Sequence, residues 1–247
     1  MKGVILSINA SARIVDITQE IPPQDIEAAA FNLLASYRDF PAGTIHAAVV
    51  DPGVGSARRA VAIRCAEQFF VGPDNGLFSW ICEREGEFRA FHLTNEKFFR
   101  HPVSATFHGR DIFAPVAAAL SNGVPIEQLG EEIHEIVQLD PLAPKRVNGG
   151  AIEGRLIHID RFGNCITNLT REHLREELVV SGAKLVVNGR EITSYRRYFA
   201  EGEHDENELF CLFGSAGFLE ITARNSSAAR VLNVRRGQRV LLSTCSD

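Results

Sequence analysis

The run Ile45–Val50 and the turn after it constrain the fold more than any other stretch of the sequence. Its apolar residues, several of them β-branched, predict a short strand covered on both faces, and Pro52, Gly53 and Gly55 end the run abruptly. Asp51 therefore stands at the carboxyl end of a predicted sheet strand. Ligands of open α/β sheets bind just outside that edge, so Asp51 is the first candidate for chemistry. The alternative is that Asp51 only hydrogen-bonds its own turn.

Composition and charge narrow the possible functions. A chain of 247 residues with 45% hydrophobic content can form one large domain or two of ordinary size. The formal net charge is −5 and the basic residues are scattered, so neither nucleic acid nor an anionic membrane is a predicted partner. No segment approaches the ~18 consecutive apolar residues of a membrane span. The five cysteines are widely spaced without a Cys-x-x-Cys pair, which argues against a disulfide framework and predicts a cytoplasmic protein.

The order of apolar segments predicts an α/β fold with two domains. Over residues 1–140, strand-like and helix-like segments alternate, which predicts βα units and a largely parallel sheet. Examples are a strand over Arg13–Thr18 and a helix over Asp25–Tyr37. Residues 141–150 carry prolines and paired glycines without periodicity and are predicted to be a linker. The short alternating segments of residues 151–247 predict a smaller C-terminal β-barrel domain.

Five polar clusters stand where predicted elements end. They are Asp51 with Arg58, Asp74-Asn75, His108-Gly-Arg110-Asp111, Asp160-Arg-Phe162-Gly-Asn164 and Gly214-Ser215-Ala-Gly217. Each is weak alone, because a lone histidine is usually structural and an Asp before an aromatic residue and glycine often forms a hairpin turn. His108 and Asp111 are three residues apart, but no second histidine lies at ligand spacing, so no metal site is predicted. Motifs for dinucleotides, triphosphates and α/β-hydrolase nucleophiles are missing from the sequence.

Taken together and in this order, the clusters resemble the motifs of the S-adenosylmethionine hydroxide adenosyltransferases. The matching stretches are Asp51-Pro-Gly-Val-Gly with Arg58, Gly72-Pro-Asp-Asn-Gly76, Phe107-His-Gly-Arg-Asp-x-Phe-Ala-Pro115, Asp160-Arg-Phe-Gly-Asn164 with Thr167-Asn168, and Gly214-Ser-x-Gly-x-Leu-Glu220. The resemblance covers nearly the whole chain. It implies an N-terminal α/β domain, a C-terminal β-barrel and a homotrimer whose sites lie between one subunit's first domain and its neighbour's second.

The resemblance implies hydrolysis of S-adenosyl-L-methionine, a small-molecule substrate, to adenosine and L-methionine, with no cofactor. An activated water or hydroxide attacks the ribose C5′, and Asp51, Arg58 and His108 are the catalytic residues that handle this water. Arg58 remains protonated at any working pH, but its charge can lower the pKa of a nearby water. Either Asp51 or His108 then accepts the proton, and the sequence does not decide between them.

The resemblance also implies the substrate-binding residues. Asp160 pairs with the methionine ammonium, and Ser215 contacts the amino-acid end of the substrate. Phe162 and Asn164 resemble a pair that holds adenine, one by stacking and the other by hydrogen bonds. Asn75, in the second motif, is a further substrate-binding candidate.

Two other functions compete with hydrolysis. Halogenating relatives use fluoride or chloride at the same carbon, but they carry Tyr-Pro-Ala-Thr-Gly where this chain has residues 51–55, and Tyr-Ser where it has His108-Gly109. A non-catalytic adenosine- or S-adenosylmethionine-binding protein is the second alternative. The family normally has a strand and a ribose-binding Asp before a Met-Lys-Gly segment, and this chain starts at Met1-Lys2-Gly3, so we expect both to be missing. Asp51, Arg58 and His108 argue against this alternative, because a protein that only binds its ligand does not need residues that activate water.

Overall fold

The computed structural model describes residues 1–147, 150–175, 179, 182–201 and 207–243. In it the chain divides into a first unit, Met1–Asp140, and a second unit, Pro141–Asp247. Among the described residues, no helix has both the length and the apolar character needed to cross a membrane.

The first unit contains a five-stranded sheet in the order β1-β3-β2-β4-β5. Its strands are β1 (Ile45–Ala47), β2 (Ala60–Cys65), β3 (Gln68–Pro73), β4 (Phe88–Leu93) and β5 (Gly130–Ile133). Its α-helices are α1 (Lys2–Ile8), α2 (Ile26–Ser36), α3 (Ser79–Glu85) and α4 (Ala114–Ser121). Shorter turns are the 3₁₀ segments Tyr37–Asp39, Glu96–Phe98 and Ile126–Gln128 and the π-helical segment Gly109–Phe113.

The prediction of a largely parallel sheet is wrong. Strands β1 and β3 run parallel, whereas β3–β2, β2–β4 and β4–β5 are antiparallel pairs. Strands β2 and β3 are joined by Ala66 and Glu67, with φ of 51° and 59°, which form a two-residue hairpin turn. Such turns usually carry Asn-Gly or Asp-Gly, so an Ala-Glu pair contains no recognisable hairpin signal.

In the first unit, the predicted helix with an N-cap residue and a helical spacing of apolar residues is confirmed, whereas the predicted strands are less accurate. The helix predicted over Asp25–Tyr37 is confirmed as α2, whose first turn is capped by the Asp25 carboxylate. The strand predicted over Arg13–Thr18 is wrong, because this segment pairs with no neighbouring strand in the described structure. The strand predicted over Ile45–Val50 ends at Ala47 and lies at an edge of the sheet rather than in its buried centre.

The sheet topology gathers several candidate residues at one edge. Because β1 and β3 are parallel, their carboxyl ends meet there, and the antiparallel β2 begins at the same edge. Asp51 follows β1, Arg58 precedes β2 and Asn75 follows β3. These residues are close in space because of strand pairing and not because of their spacing in the chain.

The second unit forms a nearly closed, barrel-like sheet, which agrees with the predicted β-barrel. Its elements are β6 (Lys145–Arg146), β7 (Ile152–Ile159), β8 (Cys165–Thr170), β9 (Lys184–Val187), β10 (Arg190–Ile192), β11 (Leu209–Phe213), β12 (Phe218–Ala223), helix α5 (Ala228–Leu232) and β13 (Arg239–Ser243). The order is β10-β9-β13-β7-β8-β12-β11, with β6 beside β7. Just beyond β10, Tyr195 bridges to Cys211 of β11, which brings the two ends of the sheet together.

The interior of the barrel-like sheet is apolar. Leu156, Leu185, Leu219, Ile221 and Val240, from four different strands and all fully buried, form part of its core. Since neighbouring residues of a strand face opposite sides, residues next to these core positions point away from the interior. Strand β6, inside the predicted linker, pairs with β7 and so belongs to this sheet.

Candidate functional site

Asp51 and Arg58 form a two-point ion pair in the first unit. The Nε of Arg58 donates to Oδ1 of Asp51 at 2.8 Å, and Nη2 donates to Oδ2. The side chains are only 7% and 10% exposed, so little water shields the pair. This fork-to-carboxylate geometry is the strong, directional form of an ion pair. The Asp51 carboxylate is therefore engaged by Arg58 and not by its own turn.

His108 completes the cluster. Its Nδ1 lies 2.9 Å from Nη2 of Arg58. A guanidinium has donors and no acceptor, so Nδ1 accepts this bond and the neutral imidazole carries its hydrogen on Nε2. Burial, and after it the charge of Arg58, lower the pKa of His108. The neutral form, with an N–H available at Nε2, is thus favoured at neutral pH.

Two close packing contacts hold this cluster in place. The Cζ of Arg58 lies 5.2 Å from the ring centre of the buried Phe113, a cation–π contact beneath the guanidinium. Gly55 has φ of 77°, and a Cβ there would lie 2.3 Å from the carbonyl oxygen of Ala105. The turn after Asp51 therefore packs directly on the segment that leads to His108, which only a glycine permits.

His108 stands immediately before the π-helical turn Gly109–Phe113. The N–H of Ala114 donates to the carbonyl of Gly109, five residues back, and such turns are frequent at functional sites. The turn is anchored by the buried Asp111, which accepts bonds from Arg110 and from the Ser104 N–H. The bonds from Arg110 lower the pKa of Asp111 to about 2, so this carboxylate is a structural anchor.

A second ion pair lies close by in the sequence but has a structural role. Arg59 donates from Nε to Asp74 at 2.8 Å, and the same carboxylate accepts the Val137 N–H at 2.8 Å. The Asp74 carboxylate thereby joins the loop that contains Val137 to the edge of the sheet. Asn75 donates from Nδ2 to the carbonyl of Val50 at 2.8 Å, directly before Asp51. Asn75 thus lies beside the candidate site and contacts it through the backbone of Val50.

In the second unit, the turn between β7 and β8 brings three predicted residues together. Asp160 accepts the N–H groups of Phe162 and Asn164 on Oδ1, at 2.8 and 2.9 Å, and the Asn164 Nδ2 on Oδ2, at 2.8 Å. The carboxylate is therefore fixed in direction. The Phe162 ring is 68% exposed and has Arg161 stacked on it. An exposed ring beside a fixed carboxylate can stack on a planar ligand.

The turn between β11 and β12 carries Ser215, which is exposed. Glu220 of β12 reaches back to this turn, since a Cβ on Gly214 would lie 1.7 Å from Oε1 of Glu220. Burial, and after it the charge of Asp160, raise the pKa of Glu220 to about 7. Glu220 belongs to the last of the matching sequence stretches but has no predicted role there. The sequence feature that marks it is a single acidic residue within a mostly apolar strand, β12.

The predicted residues thus form two clusters. The first unit holds Asp51, Arg58 and His108 with Asn75 beside them, and the second holds Asp160, Phe162 and Asn164, with Glu220 linking Asp160 to the turn of Ser215. The first cluster can hold and polarise a water molecule between a carboxylate, a guanidinium and an imidazole N–H. Over the part of the chain that the structure describes, no group of three or more His, Cys, Asp or Glu residues is arranged to hold a metal ion.

Comparisons with known proteins point to one family. The model of the SAM hydroxide adenosyltransferase N-terminal domain matches residues 1–130, and that of the C-terminal domain matches residues 154–241.

Individual proteins agree with the family models. An (R)-S-adenosyl-L-methionine hydrolase from Thermus thermophilus is 38% identical over 251 residues, covering 98% of this chain and 92% of the relative. A fluorinase from an Actinoplanes species is 30% identical over 201 residues, covering 71% and 67%. The solved structure of an uncharacterized conserved protein from Thermotoga maritima superposes with a TM-score of 0.87 at 36% identity, covering 98% of this chain and 92% of the other.

Proposed function

The chain belongs to the SAM hydroxide adenosyltransferase family and is an S-adenosyl-L-methionine hydrolase, and we propose that a water held by Asp51, Arg58 and His108 attacks the ribose C5′ of its substrate. The products are adenosine and L-methionine. The observation that carries this proposal is the Arg58 guanidinium, which binds the Asp51 carboxylate and the His108 Nδ1 at the same time.

The chemistry of the step fits such a cluster. A C5′–O bond forms while the C5′–S bond breaks, the sulfur keeps the electron pair, and the water proton passes to a base. A hydroxide-like nucleophile and a sulfonium become two groups that are neutral at the reacting atoms, so a pocket with little water favours the step. Water is a poor nucleophile until it loses its proton, so the site must supply an acceptor.

The geometry favours Asp51 as that acceptor. Arg58 cannot accept a proton. The Nδ1 of His108 is occupied by Arg58 and its Nε2 carries the hydrogen, so His108 donates to the water oxygen and orients it. Asp51 keeps lone pairs beyond the two that Arg58 uses and is the remaining base.

The second cluster binds the rest of the substrate in this proposal. Asp160 pairs with the α-ammonium group, and Ser215 contacts the same amino-acid end. Phe162 and Asn164 hold adenine by stacking and hydrogen bonding. The fixed direction of the Asp160 carboxylate and the exposed Phe162 ring support these roles. For Asn75, the bond to Val50 supports a role in positioning the Asp51 turn.

We extend the proposal to a homotrimer in which one subunit's first unit and its neighbour's second unit share each site. Family membership supports it, together with the division of water-handling and substrate-binding residues between the two units. The proposed reaction needs no cofactor, and a cytoplasmic location is compatible with the cysteines of the described residues, Cys65, Cys82, Cys165 and Cys211, which are free and buried.

The proposal is tested by supplying S-adenosyl-L-methionine in ¹⁸O-labelled water, with each sulfonium epimer separately and with or without chloride and fluoride. We expect adenosine labelled at the 5′-oxygen and unlabelled L-methionine, with the (R) epimer as the preferred substrate because it is the one named for the Thermus relative. Unlabelled adenosine would contradict attack by water on C5′. A 5′-halo-adenosine as the main product would show a halogenating enzyme.

A further inference from the structure

Glu220 is a half-buried carboxylate that has no hydrogen-bond or ion-pair partner among the described residues. Its carboxylate lies across Gly214, the residue before Ser215, where a Cβ would come within 1.7 Å of Oε1. The same carboxylate is close enough to Asp160 to be affected by its charge. Glu220 therefore lies between the two turns whose residues are proposed to hold the amino-acid end of the substrate.

The face of β12 that carries Glu220 has a second unpartnered polar group. Thr222 is two residues further along and so points to the same side of the strand. Its side chain is 1% exposed, and its hydroxyl has no partner within the described residues. The strands on either side place apolar residues next to Glu220, with Leu212 from β11 and Ile166 from β8 at its register. A carboxylate in such surroundings is costly unless a cation pairs with it.

Hydrogen-bond capacity shows why Asp160 alone cannot bind an ammonium group fully. A carboxylate has about four lone-pair sites. In Asp160 the protein's own donors occupy two lone-pair sites on Oδ1 and one on Oδ2. About one lone-pair site of this carboxylate is left for a ligand. An α-ammonium group has three N–H donors in need of acceptors.

We infer that Glu220 is a second carboxylate for the substrate's α-ammonium group, which it binds together with Asp160. The inference rests on the proposed function, and it deepens that function by assigning a residue that determines specificity for the amino-acid end. One ammonium N–H goes to Oδ2 of Asp160, a second to Glu220 and the third to the hydroxyl of Ser215. A substrate analogue without the amino group cannot make these bonds.

The protonation of Glu220 gives this pairing a measurable signature. Without a cation, burial and the charge of Asp160 hold its pKa near 7, so a large fraction is protonated at neutral pH. An ammonium group favours the ionised carboxylate, so KM should fall as pH rises through about 7. The groups that face Glu220 are Asp160 from the β7–β8 turn, the apolar Leu212 and Ile166, and Ser215 beside Gly214.

The experiment compares kcat and KM of the wild type, Glu220→Gln and Glu220→Asp for S-adenosyl-L-methionine as a function of pH. We expect Glu220→Gln to raise KM on the order of 10- to 100-fold above neutral pH with kcat little changed. The KM of Glu220→Gln should also lose its pH dependence around 7. Glu220→Asp keeps a carboxylate and should retain part of the wild-type affinity and part of its pH dependence. Glu153→Gln, which removes a charge from β7 where Glu153 pairs with Arg239, is the matched control and should leave KM and its pH dependence unchanged.

A wild-type measurement keeps the inference testable even if the Gln variant folds poorly. The desamino analogue of S-adenosyl-L-methionine should bind the wild type more weakly than the substrate, and its affinity should not improve as pH rises through about 7. If the wild type forms no adenosine, the proposed function and this inference both fail. If it forms adenosine but KM does not change with pH near 7, or Glu220→Gln matches the wild type, only the inference fails.

Discussion

Arg58 and His108 are joined by a hydrogen bond of fixed direction, because a guanidinium nitrogen 2.9 Å from Nδ1 can only donate to it. His108 therefore presents an N–H at Nε2, and in the proposed mechanism it donates a hydrogen bond to the attacking water. This separates it from Asp51, the base of the proposed reaction.

Replacing His108 tests this division of roles. His108→Ala removes the donor and should lower kcat on the order of 100-fold. His108→Gln keeps an N–H group at about the position of Nε2 and should lose considerably less. Rates of adenosine formation at saturating substrate measure both. If Gln were as damaging as Ala, and imidazole added to the Ala variant restored the rate, His108 would be the base instead.

The fall of kcat at low pH should reflect protonation of His108. Burial and the charge of Arg58 lower its pKa below the ordinary value of about 6.5, so it is neutral at pH 7. Protonation at lower pH places a hydrogen on Nδ1, which faces Arg58, and breaks the bond between them. We expect kcat to be constant near neutral pH and to fall as pH drops through a value below about 6.5. The same midpoint in His108→Gln would exclude His108 as its cause.

The Asp51–Arg58 pair should also contribute to stability. Arg58→Ala leaves a carboxylate unpaired at a site where the side chains are 7% and 10% exposed, and breaking a buried pair in this way costs about 3–5 kcal/mol. Urea denaturation measures the loss. Combining Asp51→Asn with Arg58→Gln should cost less than the sum of the single changes, because neither charge is left alone.

An exposed ion pair of the same unit provides the comparison. Arg89 pairs with Glu127 and Glu132 at about half exposure, so solvent screens these pairs, and Arg89→Ala should change the free energy of unfolding far less than Arg58→Ala does. Equal losses for Arg58→Ala and Arg89→Ala would show that burial does not strengthen the Asp51 pair.

Mixed assemblies test the shared site. Asp51→Asn and Asp160→Asn should each be poorly active, the first through turnover and the second through substrate binding. If each site combines one subunit's first unit with a neighbour's second, hybrids of the two variants contain some sites with both Asp51 and Asp160 intact. Activity recovered after the two variants are unfolded and refolded together supports the trimer. No recovery, with hybrids demonstrated by mass spectrometry, contradicts it.

The sequence was sufficient to predict residues whose position depends on local structure. Asp51 was expected at the carboxyl end of a strand, and a hairpin turn was the structural alternative for Asp160 before an aromatic residue and a glycine. In the structure, Asp51 lies in the loop that follows β1, and Asp160 lies in the turn between β7 and β8. These features depend on short-range patterns of apolar residues, proline and glycine, which one sequence displays.

Features that depend on distant parts of the chain could not be predicted in this way. The Ala66-Glu67 turn makes the sheet mainly antiparallel without the usual turn residues. The contact of Gly55 with Ala105, which brings His108 to Arg58, joins segments with no common pattern. In the sequence, Glu220 resembles an ordinary exposed strand residue. Its proximity to Asp160 results from the pairing of β12 with β8, which the sequence does not display.

In the proposed mechanism Asp51 takes the proton from the attacking water, so the turnover of Asp51→Asn is the decisive measurement. Adenosine formation at saturating S-adenosyl-L-methionine is measured for this variant and the wild type, with substrate affinity determined separately for both. We expect kcat to fall on the order of 100-fold or more, while affinity changes little, because the carboxylate acts in the transition state. An unchanged kcat in a folded Asp51→Asn variant would show that Asp51 is not the base.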